Sequence, residues 1–362
     1  MAERRTAHPY WTYDAIQSQP ARIEKVLARR AEVERAADAV AAKDRMIFAG
    51  IGTSLHAAQI AENWMRELTA GRLLVHFEQS FELLHHPIAL GPRDAVVVIT
   101  HTGTTTASVQ ALAAARAAGA LTAAITGEAS GEGIRGADFL IETCEQEVSF
   151  AYTNSYTAAL AAIALLVLRV AARRNLLANA EGAADLARVP GLIRRALSVE
   201  PQVRELAQRI APLSRIALFG SGAGWATARE AALKIKESCY IAAEGFETEE
   251  ILHGPFSELD SRAALIGILS GEATDSRADQ ILRAAGELKM LRVAVAPPSA
   301  TRAAAAEYLC VVPEIPAWLA AFVHLAPLQL LAYFIAIARG LNPDTGRQDQ
   351  PAHAAASKHY KY

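Results

Sequence analysis

Cysteine is scarce in this 362-residue chain: Cys144, Cys239 and Cys310 are the full set. They lie far apart in sequence and make neither a disulfide framework nor a CxxC pair for zinc. That usage fits a reducing interior, so a cytoplasmic location is expected. An excess of either charge is also lacking. Lys+Arg number 36 against Asp+Glu 38, a net charge of −2, which offers no general field for nucleic acid or acidic membranes. Charged residues make up only 20% and hydrophobic residues 52%, which excludes disorder and supplies full cores. The N-terminal MAERRTAHPYWTYD has no apolar h-region. No pair of histidines has metal-ligand spacing and no nucleophile elbow is present, so no metal or other cofactor is expected. Lysines are few beside arginines, which makes the position of each one informative.

Long apolar runs are limited to two. Ala158 to Leu168 is too short to span a bilayer, and Ile315 to Ala338 contains His324, Pro327 and Gln329. Both are read as buried core helices, and no membrane partner is expected. The length suggests two domains.

What is present is a repeating pattern. After a helical N-terminal segment (1–44), the apolar burst Met46 to Ala49 ends in Gly50-Ile51-Gly52-Thr53-Ser54 and a helix follows. A second burst, Ala95 to Ile99, ends in Thr100-His101-Thr102-Gly103-Thr104-Thr105, and further bursts occupy Leu121 to Thr126 and Asp138 to Glu142. Continuous apolar runs alternating with helices indicate a parallel sheet covered on both faces. The pattern recurs from Arg215 to Phe219, which enters Gly220-Ser221-Gly222-Ala223-Gly224, through bursts at Ala263, Leu291 and Tyr308. The first two gaps between burst starts are about 49 and 26 residues in one half and about 48 and 28 in the other, which argues for internal duplication. The expected fold is α/β: two doubly wound parallel-sheet subdomains, each a three-layer αβα sandwich, at 45–170 and 211–340. A helical linker at 171–210, broken at Pro190 and Pro201, joins them, and a tail occupies 341–362.

In open α/β sheets ligands sit where strand ends meet helix starts. Gly52, Thr53 and Ser54 supply backbone N–H groups and hydroxyls at one such turn; Thr100, Thr102 and Thr105 supply more at the next. Such turns suit a phosphate monoester, although Ser and Thr also cap helices routinely. The dinucleotide fingerprint lacks its third glycine at both Gly-rich turns, and no P-loop Lys follows either, which disfavours NAD and ATP.

The densest chemistry follows the second Gly-rich turn. In Glu230-Ala-Ala-Leu-Lys234-Ile-Lys-Glu237, helical geometry puts Glu230, Lys234 and Glu237 on one stripe, opposite an apolar side formed by Ala228, Ala231, Ala232, Ile235 and Cys239. This is either a solvated face of ion pairs or a site. His253 stands just before a Gly-Pro break and either ends a helix or shuttles protons near neutrality. His56, His85, His86 and His324 lack a comparable context and are read as surface or core.

At these residues the sequence resembles the sugar isomerase (SIS) domain proteins, and most closely the isomerase half of glucosamine-6-phosphate synthase, the glutamine–fructose-6-phosphate aminotransferase. The resemblance runs from Trp11 to Pro351 and is most specific over EAALKIKE…HGP, Glu230 to Pro255. Gly52-Thr53-Ser54 matches the family's Gly-Thr-Ser turn. Thr100-His101-Thr102-Gly103-Thr104-Thr105 matches its Ser-x-Ser-Gly-x-Thr phosphate loop, with His101 in place of the usual Gln. The resemblance implies that Glu237 moves a proton between C1 and C2 of a phosphorylated sugar or amino sugar. It implies that His253 assists ring opening and is shared across a homodimer, and that Lys234 and Glu230 support the site. It also implies that the segment from Glu147 to Thr153, including Tyr152, lines the substrate.

Two departures stand out. The family's glutaminase half has no counterpart, position 2 being Ala rather than a nucleophilic Cys, so no glutamine hydrolysis is expected. A direct count from Asp349-Gln350-Pro351 puts Ala356 where the relatives carry a Schiff-base Lys; Lys358, two residues on, is the remaining candidate. The expected chemistry is therefore 1,2 proton transfer on an open-chain sugar phosphate. Phosphate anchoring would supply orientation, and Lys234 would stabilise developing negative charge. The alternative expectation is a non-catalytic sugar-phosphate-binding regulatory protein.

Overall fold

Apolar runs without alternation form strands covered on both faces. Asp94–Ile99 is buried at every position and is the middle strand of a five-stranded parallel sheet; Ala263–Ile268, equally buried, is the middle strand of a second. In chain order the first sheet comprises β1 (Arg45–Gly50), β2 (Leu74–Gln79), β3 (Asp94–Ile99), β4 (Leu121–Thr126) and β5 (Phe139–Glu142). The second comprises β6 (Arg215–Gly220), β7 (Ala242–Glu247), β8 (Ala263–Ile268), β9 (Leu291–Ala296) and β10 (Tyr308–Val311). This computed structural model describes residues 5–177, 182–300 and 305–360, so parts of the expected N-terminal, linker and tail segments lie outside the described residues.

Strand order in the first sheet is β2-β1-β3-β4-β5, and the second repeats it as β7-β6-β8-β9-β10. Two sheets of the same order and direction are what internal duplication predicts, and each is flanked by helices as a doubly wound αβα sandwich. Helices α1 (Trp11–Ala28) and α2 (Arg30–Val40) precede the first sheet, whose connections carry α3 (Thr53–Leu68), α4 (Ser80–His85) and α5 (Thr106–Ala117). Then come α6 (Asn154–Arg173), α7 (Gly182–Leu197) and α8 (Glu200–Ile210). The second sheet's connections carry α9 (Ala223–Cys239) and α10 (Asp275–Glu287), and α11 (Ala320–Ala338) and α12 (Pro351–Ala356) follow.

The described chain clusters into two units. One, holding the first sheet, is formed by residues 21–147, 154–188 and 357–362; the other, holding the second sheet, by 1–20, 148–153 and 189–356. The first unit's core includes Ile47, Val96, Val98, Leu112 and Ile134. The second's includes Phe219, Leu265, Ile281 and Leu282.

The duplication extends to backbone angles. Gly52, entering α3, has φ 58° and ψ −124°; Gly222, entering α9, has φ 55° and ψ −125°. Only glycine adopts this region without strain. The glycines two residues earlier are needed for space: a Cβ on Gly50 would lie 2.4 Å from the Ser54 carbonyl carbon, and one on Gly220 2.7 Å from that of Gly224.

Two expectations are corrected. Pro190 does not break the linker but lies inside α7 with its ring buried; packing there offsets one missing N–H bond. Pro201 does mark a boundary, in the first turn of α8. The apolar run at Ala158 belongs to a helix of 20 residues, long enough to cross a membrane by length alone. However, 83% of its most apolar window is buried, as is 94% of that in the helical stretch Ala317–Ala338. Both are thus core helices of their units, and His324 on α11 is buried with them. The three cysteines are free and buried; burial pushes the Cys144 and Cys310 thiols up to about 11.

Candidate active site

In the first unit the order β2-β1-β3 makes the gap between β1 and β3 the point where connections diverge, and the carboxyl ends there form the expected crevice. Gly52, Thr53 and Ser54 begin α3 beyond β1, and Thr100 to Thr105 link β3 to α5. The residue preceding α3 is Gly52, which has no side chain, and Thr105, preceding α5, makes no capping hydrogen bond. The helix-start amides are therefore not covered by the preceding residue's side chain, as an anion site requires. Thr102 Oγ1 accepts from Thr104 N and Oγ1 at 3.3 and 2.8 Å. Gly103 has φ 67°, and a Cβ there would meet Ile134 at 2.7 Å.

His101 does not present a charge to this turn. Its Nε2 accepts from the backbone N–H of Glu147 at 2.9 Å, and desolvation holds its pKa below the usual value, so the ring is neutral near pH 7. The Glu147 carboxylate in turn accepts from Ser155 N and Oγ at 2.9 and 2.6 Å. His101 thus ties the turn to the start of the segment expected to line substrate.

In the second unit the residues preceding α9 and α10, Gly222 and Thr274, likewise make no capping hydrogen bond, but a carboxylate holds the loop before α10. Asp275 accepts from the backbone N–H groups of Ser270 and Gly271 at 3.3 and 2.8 Å, and Ser221 Oγ donates to Thr248 Oγ1 at 2.7 Å. Duplicated architecture therefore carries two different turn chemistries.

The charged stripe on α9 is no solvated face. Glu230 is 0% and Lys234 2% exposed, because α9 packs against β6, β7 and α11. Lys234 Nζ lies 3.4 Å from Glu230 Oε1 and 2.6 Å from Glu237 Oε2; Glu237 alone of the three is partly exposed, at 26%. A buried ammonium between two carboxylates fixes the outer one in place. Glu237 lines a cavity of about 370 Å³ within the second unit.

Residues that the motifs did not single out complete that cavity. Tyr240 ends α9 in the left-handed conformation, φ 58°. Its hydroxyl accepts from Arg347 N at 2.8 Å, and the Arg347 guanidinium stacks over its ring at 4.2 Å. Gly346 has φ 50°, and a Cβ there would fall 2.2 Å from the Phe150 ring. Phe150, Gly346, Arg347 and His353 all line the cavity beside Lys236 and Glu237. In the expected substrate segment it is Phe150 that reaches it; Tyr152 is half-buried and is not among its lining residues. Gly346, whose positive φ favours glycine, is the signal that could have marked this wall.

His253 lies outside this cavity. Its side chain is 69% exposed and stands 3.4 Å from Glu249, whose carboxyl Arg277 holds below the usual range. Lys358 is exposed in the turn Ser357–His359 and clusters with the first unit, whereas Glu237 belongs to the second. Among the described residues no group of three or more His, Cys, Asp or Glu is placed to hold a metal ion.

Comparison with known proteins gives a consistent result. A family model described as the SIS domain matches residues 40–169 and again 209–339. A glutamine–fructose-6-phosphate aminotransferase (isomerizing) from Thermococcus kodakarensis is 30% identical over 355 residues, covering 96% of this chain and 58% of that protein. The chain thus spans little over half the length of this curated relative. The C-terminal domain of glucosamine-fructose-6-phosphate aminotransferase from Francisella tularensis matches with a TM-score of 0.85 at 19% identity, covering 93% of this chain and 99% of that one. Tagatose-6-phosphate ketose/aldose isomerase from Escherichia coli matches at 0.75 and 22% identity, covering 95% and 97%. At those identities the structural likeness is one of fold.

Proposed function

The chain belongs to the SIS domain family, and on that premise we propose that it moves a proton between C1 and C2 of an open-chain phosphorylated sugar. It acts as an aldose–ketose isomerase or, where the substrate carries an amine, as an amino-sugar-phosphate isomerase or deaminase. The observation that carries this reading is Glu237: a carboxylate at a cavity, fixed through one oxygen by a buried ammonium at 2.6 Å. Proton transfer alpha to a carbonyl needs a positioned base that can return the same proton to the neighbouring carbon. Lys234 is too deeply buried to meet a substrate oxygen and serves instead to orient Glu237. Phosphate recognition is assigned to Ser54, Thr100, Thr102 and Thr105, with Thr53 and His101 shaping the turns. His253 is assigned to ring opening across a homodimer.

The test is hydrogen exchange in D2O. Incubated with fructose 6-phosphate, glucosamine 6-phosphate and related aldose and ketose phosphates, the protein introduces deuterium at C1 or C2 of its substrate, and Glu237→Gln does not, while still binding it. Binding without exchange by the unaltered protein favours a regulatory sugar-phosphate sensor.

A further inference from the structure

The cavity that holds Glu237 is also lined by an exposed imidazole, hydrogen-bonded to a guanidinium. His353, on the short helix α12, has Nε2 3.2 Å from Arg347 Nη1. A guanidinium has donors and no acceptor and stays charged at any working pH. In this hydrogen bond Nε2 accepts, so a ring that makes it carries its proton on Nδ1. Arg347 is in turn held by Tyr240, through a 2.8 Å hydrogen bond to the hydroxyl and a stacked guanidinium 4.2 Å above the ring. Tyr240 stands three residues beyond Glu237 at the end of the same helix. Glu237 and His353 thus line one cavity of about 370 Å³ and are tied to each other through α9, Tyr240 and Arg347.

We propose that His353 is a second catalytic residue, a neutral electrophile that works on the substrate's oxygens while Glu237 works on its carbons. This rests on the proton-transfer reading above and deepens it. Nδ1–H donates to the carbonyl oxygen. As Glu237 takes the C–H proton, that bond's electron pair becomes the C=C bond and the carbonyl π pair moves to oxygen, which is protonated from Nδ1. Nδ1 then recovers a proton from the adjacent hydroxyl, Glu237 returns its proton to the neighbouring carbon, and no net proton is gained or lost. Arg347 on Nε2 stabilises the transient negative charge on the ring, and a neutral imidazole is an established electrophile for enediol chemistry. The charged and titratable groups facing His353 across the cavity are Arg347, Lys236, Glu237 and Tyr240.

Two measurements test this. In D2O with fructose 6-phosphate and glucosamine 6-phosphate, His353→Gln lowers kcat at least tenfold with KM changed less than threefold, and Arg347→Met, which removes the donor to Nε2, lowers kcat with the same small effect on KM. Nitrogen-15 NMR of the histidine-labelled full chain, without any sugar, shows a neutral Nδ1–H tautomer for the resonance that His353→Gln removes. Wild-type kcat in His353→Gln, or a protonated ring at pH 7, overturns the role of His353 while leaving Glu237 as the base. Absence of exchange in the unaltered protein overturns the underlying reading, and the tautomer measurement distinguishes the two failures.

Discussion

Lys234 sits one turn before Glu237 on α9 and meets its carboxylate at 2.6 Å, while its own side chain is 2% exposed and shares the interior with Glu230 at 3.4 Å. Removing one member of a buried ion pair strands the others and costs about 3–5 kcal/mol. Lys234→Ala is therefore expected to be strongly destabilised in urea unfolding. The double variant Lys234→Met, Glu230→Gln removes the stranded charge; it recovers most of the stability yet stays at least tenfold slower, because Glu237 loses its anchor. Full activity in the double variant would show that Lys234 serves packing alone.

Acid stability follows from a different buried group. His324 is enclosed on α11, and burial pushes its pKa down to about 4. An unfolded histidine titrates near 6.5, so between those values the unfolded chain binds the extra proton. The contribution is fully present above about pH 6.5 and is lost as pH falls towards 4, for a total of about 3 kcal/mol. His101, whose pKa is also lowered by burial, adds in the same direction. Unfolding free energies at pH 7 and 4.5 should converge for His324→Gln relative to the unaltered chain. An unchanged pH slope in that variant would exclude His324 as the source.

His253 stands exposed and outside the cavity that Glu237 lines. If it completes the site of a second copy, two inactive variants can restore each other. Mixing Glu237→Gln with His253→Gln after dissociation and reassociation puts one intact site in each mixed dimer. Equal mixing then recovers about a quarter of full activity by the statistics of a symmetric dimer. No recovery, with exchange of subunits verified by mass, places His253 in its own chain's chemistry or in none.

The fold was legible because its signal is repeated. Ala95 to Ile99 and Ala263 to Leu269 are unbroken apolar runs, which suit only strands buried on both faces, and each is followed by a small-residue turn into a helix. The stripe Glu230, Lys234, Glu237 was legible because helical spacing sets it. Its burial was not, since periodicity cannot tell that α11 covers a second face of α9. The far wall of the cavity was least legible. Phe150, Tyr240, Gly346 and His353 come from four separate segments, and the bonds joining them, such as Arg347 N to Tyr240 Oη, span 107 positions. Nothing local in the sequence marks such a contact except the glycine, whose φ of 50° and closeness to Phe150 leave no room for a side chain.

The two halves differ at the corresponding crevice, and that difference makes phosphate binding testable. In the second repeat, Asp275 already occupies the amides of Ser270 and Gly271. In the first, the loop before α5 carries hydroxyls rather than a carboxylate, and Thr105 leaves the start of α5 without a side-chain cap, as Thr274 does at α10. An anion should therefore enter the first crevice only. A hydrogen bond to a charged group contributes about 1.5–3 kcal/mol, so Thr105→Val should raise KM for a sugar phosphate by roughly ten- to a hundredfold and weaken inorganic phosphate as a competitive inhibitor in parallel. Asp275→Asn keeps the shape of the second crevice and one of its two acceptor oxygens, and it should change neither quantity by more than about twofold, since the anion binds at the other repeat. The reverse pattern, with Thr105→Val silent and Asp275→Asn strongly altered, would move the anion site to the second repeat. In that event the carboxylate of Asp275 would have to give way whenever substrate arrives, and binding would tighten as pH falls and Asp275, whose pKa burial already raises, takes up a proton. With the site in the first repeat, that additional pH dependence is absent.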